Sequence, residues 1–155
     1  MSFSGLLALG GLVIIILVLV SIVLYVLFAF GLFKMAKKEK IEFCWLAFVP
    51  VAQLYVIGKL IKELKLFKYV IPRHELVLPI APLVYMILAQ VPLIGFLLWI
   101  ATAVLEVAAL YYLYKRYKGN SSIIMTVLSV VLFFMGPIFI FNMRDATPLD
   151  AEQKV

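Results

Sequence analysis

The chain has 155 residues, of which 66% are hydrophobic and 14% are charged. A soluble domain averages about 45–50% apolar and about 25% charged residues, and a domain of this size cannot bury so large an apolar surface. The surface therefore needs lipid as its solvent. The composition excludes a soluble enzyme, a nucleic-acid-binding domain and a disordered tail, and it predicts an all-α integral membrane protein.

Basic residues outnumber acidic ones, with 14 Lys and Arg against 8 Asp and Glu and a net charge of +6. In a chain this apolar, we expect them to orient the protein, because cytoplasmic loops are rich in Lys and Arg. The expected partners of this charge are the lipid bilayer and its anionic lipids, and no nucleic acid.

The first apolar segment, residues 5–33, has no charge before Lys34. A helix of this length is about 43 Å long, which exceeds the roughly 30 Å hydrocarbon core of a bilayer. It has no basic region in front and is too long for the apolar core of a signal peptide, so it predicts a transmembrane helix. Lysines follow at positions 34, 37, 38 and 40, which places this end in the cytoplasm and the N-terminus outside.

The second apolar segment, residues 41–58, is shorter and has Pro50 in its middle. Basic residues flank it on both sides, so a full crossing would place one basic cluster outside. We therefore expect a re-entrant or interfacial segment that is broken at Pro50. Irregular backbone at that depth has to be buried in protein or face water.

Residues 59–73 show the periodicity of an amphipathic surface helix, with one apolar and one basic face. The apolar residues are Leu60, Leu64, Phe67 and Ile71, and the basic residues are Lys59, Lys62, Lys65 and Lys68. Each lysine near an anionic surface contributes about 1 kcal/mol of attraction, so these four are candidate contacts of lipid headgroups. The alternative is that these lysines only orient the protein in the membrane and have no specificity for a lipid.

The following apolar stretch is long enough for two crossings and holds a single charge. Pro92 favours a break, because the residue before a proline avoids helical backbone. The stretch therefore predicts a hairpin with a short arm over 76–90 and a full-length helix over 93–114.

The last crossing is predicted over residues 122–141, after a helix stop at Gly119. The tail, residues 142–155, then lies outside. The expected architecture is a single domain, residues 1–155, in the inner or plasma membrane of the cell, with about four transmembrane helices, the re-entrant or interfacial segment and the basic amphipathic helix. Both termini are extracytoplasmic in this topology, and 12 of the 14 Lys and Arg face the cytoplasm.

Glu106 is the one ionisable residue well inside a predicted span. An ionised group there costs roughly 2.5–3.5 kcal/mol, so it has to be neutral, paired or near water. One hypothesis is a site for a cation, a proton or a cationic substrate, with Thr102 one turn away and Gln53 and Gln90 as further polar candidates. The other is a packing residue, hydrogen-bonded to one of the two glutamines or to a tyrosine.

The sequence contains no motif that predicts metal binding, nucleophilic catalysis or phosphate binding. The only histidine, His74, lacks the second histidine of a zinc-binding HExxH motif, and we expect it to be solvated at the membrane interface. No nucleophile elbow or glycine-rich phosphate loop is present. We expect no catalytic residue, no metal and no cofactor, and hence no enzyme.

The stretch from Trp45 to Lys59, WLAFVPVAQLYVIGK, resembles the signature of a family of small uncharacterised bacterial polytopic membrane proteins. The basic break at 114–119 and the apolar segment 123–141 are also similar to that family. Some of its members carry a signal-peptidase I label, but that activity needs a serine–lysine dyad in an extracytoplasmic domain, and this sequence has no such domain. The resemblance implies a bacterial inner membrane and adds no mechanism.

Two functions fit these features. The first is an accessory subunit or scaffold of a larger membrane assembly, which needs only shaped helices and a membrane-protein partner. The alternative is a small oligomeric transporter or channel for an ion or a small cationic or lipid substrate. It would use Glu106, because broken helices at mid-membrane are a recurring device of transporters.

Overall fold

In the computed structural model, which describes residues 3–66 and 69–149, the chain is almost entirely helical. The α-helices are α1 (Phe3–Lys38), α2 (Gln53–Ile61), α3 (His74–Leu88), α4 (Pro92–Lys118), α5 (Ser122–Val131) and α6 (Met135–Asn142). Short 3₁₀ helices cover Cys44–Phe48 and Gly119–Ser121, and two short strands, β1 (Lys65–Leu66) and β2 (Tyr69–Val70), pair antiparallel. The predicted all-α class is confirmed, apart from this small ribbon.

Within the described residues, two helical runs are long and apolar enough to cross a membrane, Leu9–Lys38 and Leu93–Val131. The first lies in α1. The second passes through the 3₁₀ helix at 119–121 and includes both α4 and α5. The length and composition of these runs point to membrane association, whereas the predicted four crossings find no support in the part of the chain that is described.

The helices α1 and α4 finish at the same end of the molecule, which we name the basic end. There Arg116 donates a hydrogen bond to Glu39, with 2.7 Å between Nη2 and Oε2. Basic residues occupy the last turns of both helices: Lys37 and Lys38 in α1, and Lys115, Arg116 and Lys118 in α4. All other elements can be placed relative to this end.

Residues 44–61 form a helical turn-back, the first hairpin, that leaves the basic end and returns to it. Near its turning point the Phe48 carbonyl accepts a hydrogen bond of 2.6 Å from the Tyr25 hydroxyl. The second arm, α2, then returns until the Leu60 carbonyl accepts a hydrogen bond from Arg116. Along α1 the basic end and Tyr25 are about 20 Å apart at 1.5 Å per residue, which gives the depth of the hairpin.

The predicted break at Pro50 falls in the connection between the two arms of the first hairpin. This connection is a pair of turns in which the backbone N–H of Gln53 donates a hydrogen bond to the Val49 carbonyl. Re-entry of residues 41–58 into a bilayer, as opposed to a place at its surface, stays a prediction.

The predicted amphipathic helix over 59–73 is wrong. The helix α2 ends at Ile61, because Lys62 adopts a positive φ of 62°, and the chain continues into the β1–β2 ribbon. Leu64 is fully buried. Leu60 and Leu64 therefore contact the core at and just after the end of α2, and do not form one face of a longer helix.

Two sequence features explain the ribbon. The residues of 69–71, Tyr-Val-Ile, are aromatic and β-branched and suit a strand. Pro72 also disfavours helical backbone at the residue before it. Phe67 and Lys68, which the predicted helix included, lie outside the described residues.

The helices α3 and α4 pack as an antiparallel pair, close to the predicted arms 76–90 and 93–114. The helix α3 (His74–Leu88) lies two residues earlier than its predicted arm, and α4 extends beyond its predicted arm to Lys118. Val91 has extended backbone between them, as expected for a residue before a proline. His74 is buried, with its Nε2 3.0 Å from the Gly58 carbonyl oxygen, so the expectation of a solvated histidine is wrong.

The predicted single crossing over 122–141 is also wrong, because α5 and α6 are separate helices that form the last hairpin. α5 ends at Val131 and α6 begins at Met135. Pro137 explains the break. In the first turn of α6 the backbone N–H groups have no partner within the helix, so a proline costs no hydrogen bond there. In the middle of a continuous helix the same proline would remove one. The hydroxyls of Tyr114 and Ser129 lie 2.9 Å apart, so α5 runs back along α4.

The second arm of the last hairpin, α6, returns along α1 towards the basic end. A Cβ added to Gly31 would lie 2.9 Å from the Ile140 carbonyl oxygen, so the backbones of α1 and α6 are almost in contact. The rings of Phe30 and Phe141 also pack together, with centroids 6.4 Å apart. Further along both segments, Lys38 at the end of α1 donates a hydrogen bond to the Asp145 carbonyl just after α6. The two helices run parallel.

The predicted topology places the tail, residues 142–155, at the end of the molecule where α1 starts, but the described residues 142–149 lie at the other end of α1. Asp145 lies at the basic end, with an oxygen 4.0 Å from Lys34 Nζ. Its carbonyl also accepts a hydrogen bond of 2.5 Å from Lys38. These contacts place the described part of the tail at the end of α1 opposite to its start.

The apolar core occupies the half of the molecule near the basic end. Its buried residues come mainly from the second half of α1, both arms of the first hairpin and α4, with further residues from α3 and α6. By contrast, residues 9–20 of α1 lie apart from this core, and their exposed fractions range from 48% at Val20 to 62% at Ile14. Such an unbroken apolar surface needs an apolar solvent or partner.

Candidate functional site

A cavity of about 720 Å³ lies between α1, α4 and the last hairpin. Helical spacing explains its two long walls, because positions i, i+3, i+4 and i+7 share a face. These walls are Ser21, Leu24, Tyr25 and Phe28 from α1, and Ala103, Glu106, Val107 and Leu110 from α4. The last hairpin contributes Ser129, Val130, Phe133, Gly136 and Pro137, and the first hairpin contributes Gln53.

The two hairpins complete the lining of the cavity between α1 and α4. The last hairpin packs against α4 through α5 and against α1 through α6, and it turns at 132–134, at the level of the cavity. Phe133 in this turn is 87% exposed and therefore forms part of the rim. The first hairpin, through Gln53, and the last hairpin therefore both reach the level of Glu106 along the long helices.

The polar side chains around Glu106 already have hydrogen-bond partners. Gln53 donates to the Ala47 carbonyl at 2.9 Å, and Ser21 donates to a carbonyl one turn earlier in α1. The Ser129 hydroxyl lies 2.7 Å from the Met125 carbonyl and also contacts the Tyr114 hydroxyl. These groups fix the walls and are largely satisfied by the protein.

Glu106 differs from them. It is half-buried and is the only acidic or basic residue among the described residues that line the cavity. No hydrogen bond or ion pair joins its carboxylate to another described residue. Since an ionised carboxylate in apolar surroundings is costly unless it is paired, this cavity suits a proton or a cationic partner.

The structure brings together only two of the four predicted binding residues. Glu106 and Gln53 line the same cavity. Thr102 instead lines a cleft of about 790 Å³ between α3 and α4, because the 40° between positions 102 and 106 on α4 is enough to turn it towards α3. Gln90 is exposed in the connection between these helices.

Sequence reasoning missed the paired hydroxyls of Tyr114 and Ser129. Both residues are buried, and their contact joins α4 to α5. A signal was present, since a serine in an apolar run needs a hydrogen-bond partner. The partner itself could be identified only once α5 was known to run back along α4.

The four predicted lipid-contact lysines are dispersed. Lys59 lies 3.4 Å from Glu75 on α3, and Lys68 lies outside the described residues. Lys62 and Lys65 line a cavity of about 480 Å³ at the basic end, together with residues from the end of α4.

No metal centre is found in the described ranges, since no three His, Cys, Asp or Glu side chains come together there. The comparisons with known proteins add no function: no family model matches the chain, and no curated protein or solved structure matches it. The resemblance of residues 45–59 to the bacterial membrane family therefore stays a prediction.

Proposed function

We propose that this is a small multi-pass integral membrane protein that binds an organic cation at Glu106 and carries it across the membrane, as an oligomeric transporter or channel. The observation that supports this most directly is the half-buried Glu106 carboxylate in the cavity, with no partner among the described residues. A bound cation would supply the missing partner and offset the cost of burying the charge.

The lining of the cavity favours an organic cation over a metal ion. Ca²⁺ and Mg²⁺ take six or more oxygen ligands, whereas this cavity offers one carboxylate amid mostly apolar side chains. Its volume of about 720 Å³ lies within the roughly 300–1,000 Å³ that is typical of small-molecule sites. An ammonium or phosphonium group with apolar substituents suits both the charge and the walls.

The proposed topology places the basic end in the cytoplasm. In it α1 crosses with its start outside, α3 and α4 cross outwards and back, and the two hairpins enter from the cytoplasm and return to it. The described tail then lies in the cytoplasm beside Lys34 and Lys38. This arrangement follows the positive-inside rule and places broken helices around the site, as in known transporters.

The test is binding of tetraphenylphosphonium to the purified protein in phosphatidylcholine vesicles, measured by equilibrium dialysis. We expect Glu106→Gln to weaken binding at least tenfold, which corresponds to about 1.4 kcal/mol, because the amide keeps the shape and loses the charge. Ethidium uptake into the same vesicles measures the transport step.

The matched control is Glu42→Gln, which removes a carboxylate from an exposed position outside the cavity. It is expected to leave tetraphenylphosphonium binding unchanged. Equal binding by the wild-type protein and a folded Glu106→Gln variant would contradict the cation site. Binding by the wild-type protein without ethidium uptake would contradict the transport step.

The second candidate function is an accessory subunit of a larger membrane assembly. The observation that favours it is the first half of α1, whose residues 9–20 extend away from the core with an exposed apolar surface. Native mass spectrometry after gentle extraction from the source membrane distinguishes the two. A stoichiometric second protein would support the accessory role, whereas a homo-oligomer that binds tetraphenylphosphonium would support transport.

A further inference from the structure

The cavity at the basic end combines cations from two distant parts of the chain. Its lining consists of Ile61, Lys62, Glu63, Lys65, Tyr112, Lys115, Arg116 and Leu149. Four of these eight side chains are basic and one is acidic, so the lining carries a net positive charge. Such a cavity favours an anion.

Two of the charged groups hold their places through contacts within the protein. Arg116 is fixed by Glu39 and by the Leu60 carbonyl, and its side chain is only 7% exposed. Glu63 lies 3.2 Å from Lys65, so the one carboxylate of the lining is partly neutralised. Arg116 is therefore a fixed positive charge of the lining, and the exposed Lys62, Lys65 and Lys115 add to it.

An apolar groove of about 600 Å³ lies next to this cavity, between α4 and α5. Its wall on α4 is Ala103, Val104, Val107, Ala108 and Tyr111, and its wall on α5 is Ile123, Thr126 and Val127. These α4 positions follow helical spacing, and the next position on the same face is Lys115. The groove therefore leads along α4 to the basic cavity.

Lys115 joins the two spaces. Its Nζ lies 5.8 Å from the ring centroid of Tyr111, which lines the groove, and 5.9 Å from that of Tyr112, which lines the basic cavity. A lysine is attracted to the face of an aromatic ring, and tyrosine is enriched at membrane interfaces, where one end of its side chain is apolar and the other is hydrated.

From this continuity we propose that the protein binds one anionic phospholipid, with an acyl chain in the α4–α5 groove and its phosphate in the basic cavity. The charge of the cavity matches the phosphate, and the apolar groove matches the chain. The inference depends on the proposed insertion of α4 in a membrane and is independent of cation binding at Glu106.

The test is native mass spectrometry of the full chain with added phosphatidylglycerol or phosphatidylcholine. We expect the wild-type protein to retain one phosphatidylglycerol at least tenfold more tightly than phosphatidylcholine. The triple variant Lys62→Gln, Lys65→Gln and Lys115→Gln should lose this preference, because it removes three of the four cations of the lining.

The charge-matched control is the triple variant Lys37→Gln, Lys40→Gln and Lys118→Gln. These lysines lie near the same end, and none of them lines the basic cavity. The control should keep the phosphatidylglycerol preference. An equal loss in both triple variants would overturn the proposal, because it would indicate diffuse attraction to the basic end.

The groove is tested by Ala108→Phe, which fills it from a position that does not line the Glu106 cavity. It should reduce phosphatidylglycerol retention severalfold. Binding of water-soluble glycerol phosphate as tight as that of the lipid would overturn the lipid proposal in favour of a phosphate site. Tetraphenylphosphonium binding should be unchanged in every lipid-site variant, so the two proposals can fail separately.

Discussion

At the residue scale, the Arg116–Glu39 pair is well protected from solvent compared with the other ion pairs of the described residues. The Arg116 side chain is 7% exposed and that of Glu39 19%, and the arginine also joins α4 to the Leu60 carbonyl of the first hairpin. A single guanidinium thus links three elements at the basic end. Lysine could not replace it, because its single ammonium does not present two N–H groups in a fixed fork.

We expect Arg116→Leu to lower the free energy of unfolding by about 3 kcal/mol, because it leaves Glu39 without its partner in a partly buried place. Unfolding in detergent micelles, followed by circular dichroism against denaturant, measures the change. Lys34→Ala is the control. It removes an exposed contact with Asp145 and should change the free energy by less than about 1 kcal/mol. Similar values for both variants would contradict the role of Arg116.

The central residue of the candidate site, Glu106, could be predicted from the sequence alone. Glu106 could be identified because a charge in an apolar run has a cost that calls for an explanation. Of the other three candidates, only Gln53 lines the same cavity. Position one turn away, as for Thr102, or polarity beside a proline, as for Gln90, does not place a side chain in the cavity. Which side chains share a cavity depends on the rotation of α4 and on the path of the last hairpin.

At the element scale, α2 and α3 approach each other through Gly58. A Cβ added there would lie 2.5 Å from the Glu75 Cα, a distance at which backbone must move. The Gly58 carbonyl also lies 3.0 Å from His74 Nε2. The close packing of the first hairpin against α3 therefore requires a residue without a side chain at this position.

We expect Gly58→Ala to destabilise the protein by about 1–3 kcal/mol, the usual cost of overpacking a tight contact. The control is Gly10→Ala in α1, where an added Cβ meets no atom within 4 Å. It should be neutral or slightly stabilising, because alanine favours helix over glycine. Thermal unfolding of the two variants in the same detergent measures both effects. A neutral Gly58→Ala would show that α3 can move away at little cost.

The two wrong element predictions have different physical causes. For 59–73, only residues 59–61 are helical, because α2 ends at Ile61 and Lys62 has a positive φ that no periodicity reveals. For 122–141, the apolar length matched a bilayer, and length cannot distinguish one crossing from two half-length arms. The break was signalled by Gly136 and Pro137, but a proline kink and a complete reversal look the same in sequence.

At the scale of the whole molecule, the apolar character and the helical class could be predicted from composition, because both depend on averages over the chain. The direction in which each helix runs could not. It depends on a few contacts between distant residues, such as Asp145 with Lys34 and Lys38, and these exist only after the last hairpin has folded.

The arrangement of ends predicts the sidedness of three exposed positions. In a Cys44→Ser background, which removes the only cysteine, Asn120→Cys and Leu149→Cys should react with a membrane-impermeant maleimide from the cytoplasmic side. Gln90→Cys, before the start of α4, should react from the opposite side. Labelling of positions 90 and 149 from the same side would contradict this arrangement and restore the last crossing over 122–141.

The walls of the Glu106 cavity have a consequence for biosynthesis. One wall is made of residues 21–28 and another of residues 129–137, so two segments about 100 residues apart have to meet around a glutamate that is made between them. Until the last hairpin emerges from the ribosome, one side of that glutamate has no protein wall. The proposed cation can therefore bind only after residues 129–137 have been made, and nascent chains that stop before residue 129 should insert without acquiring the site.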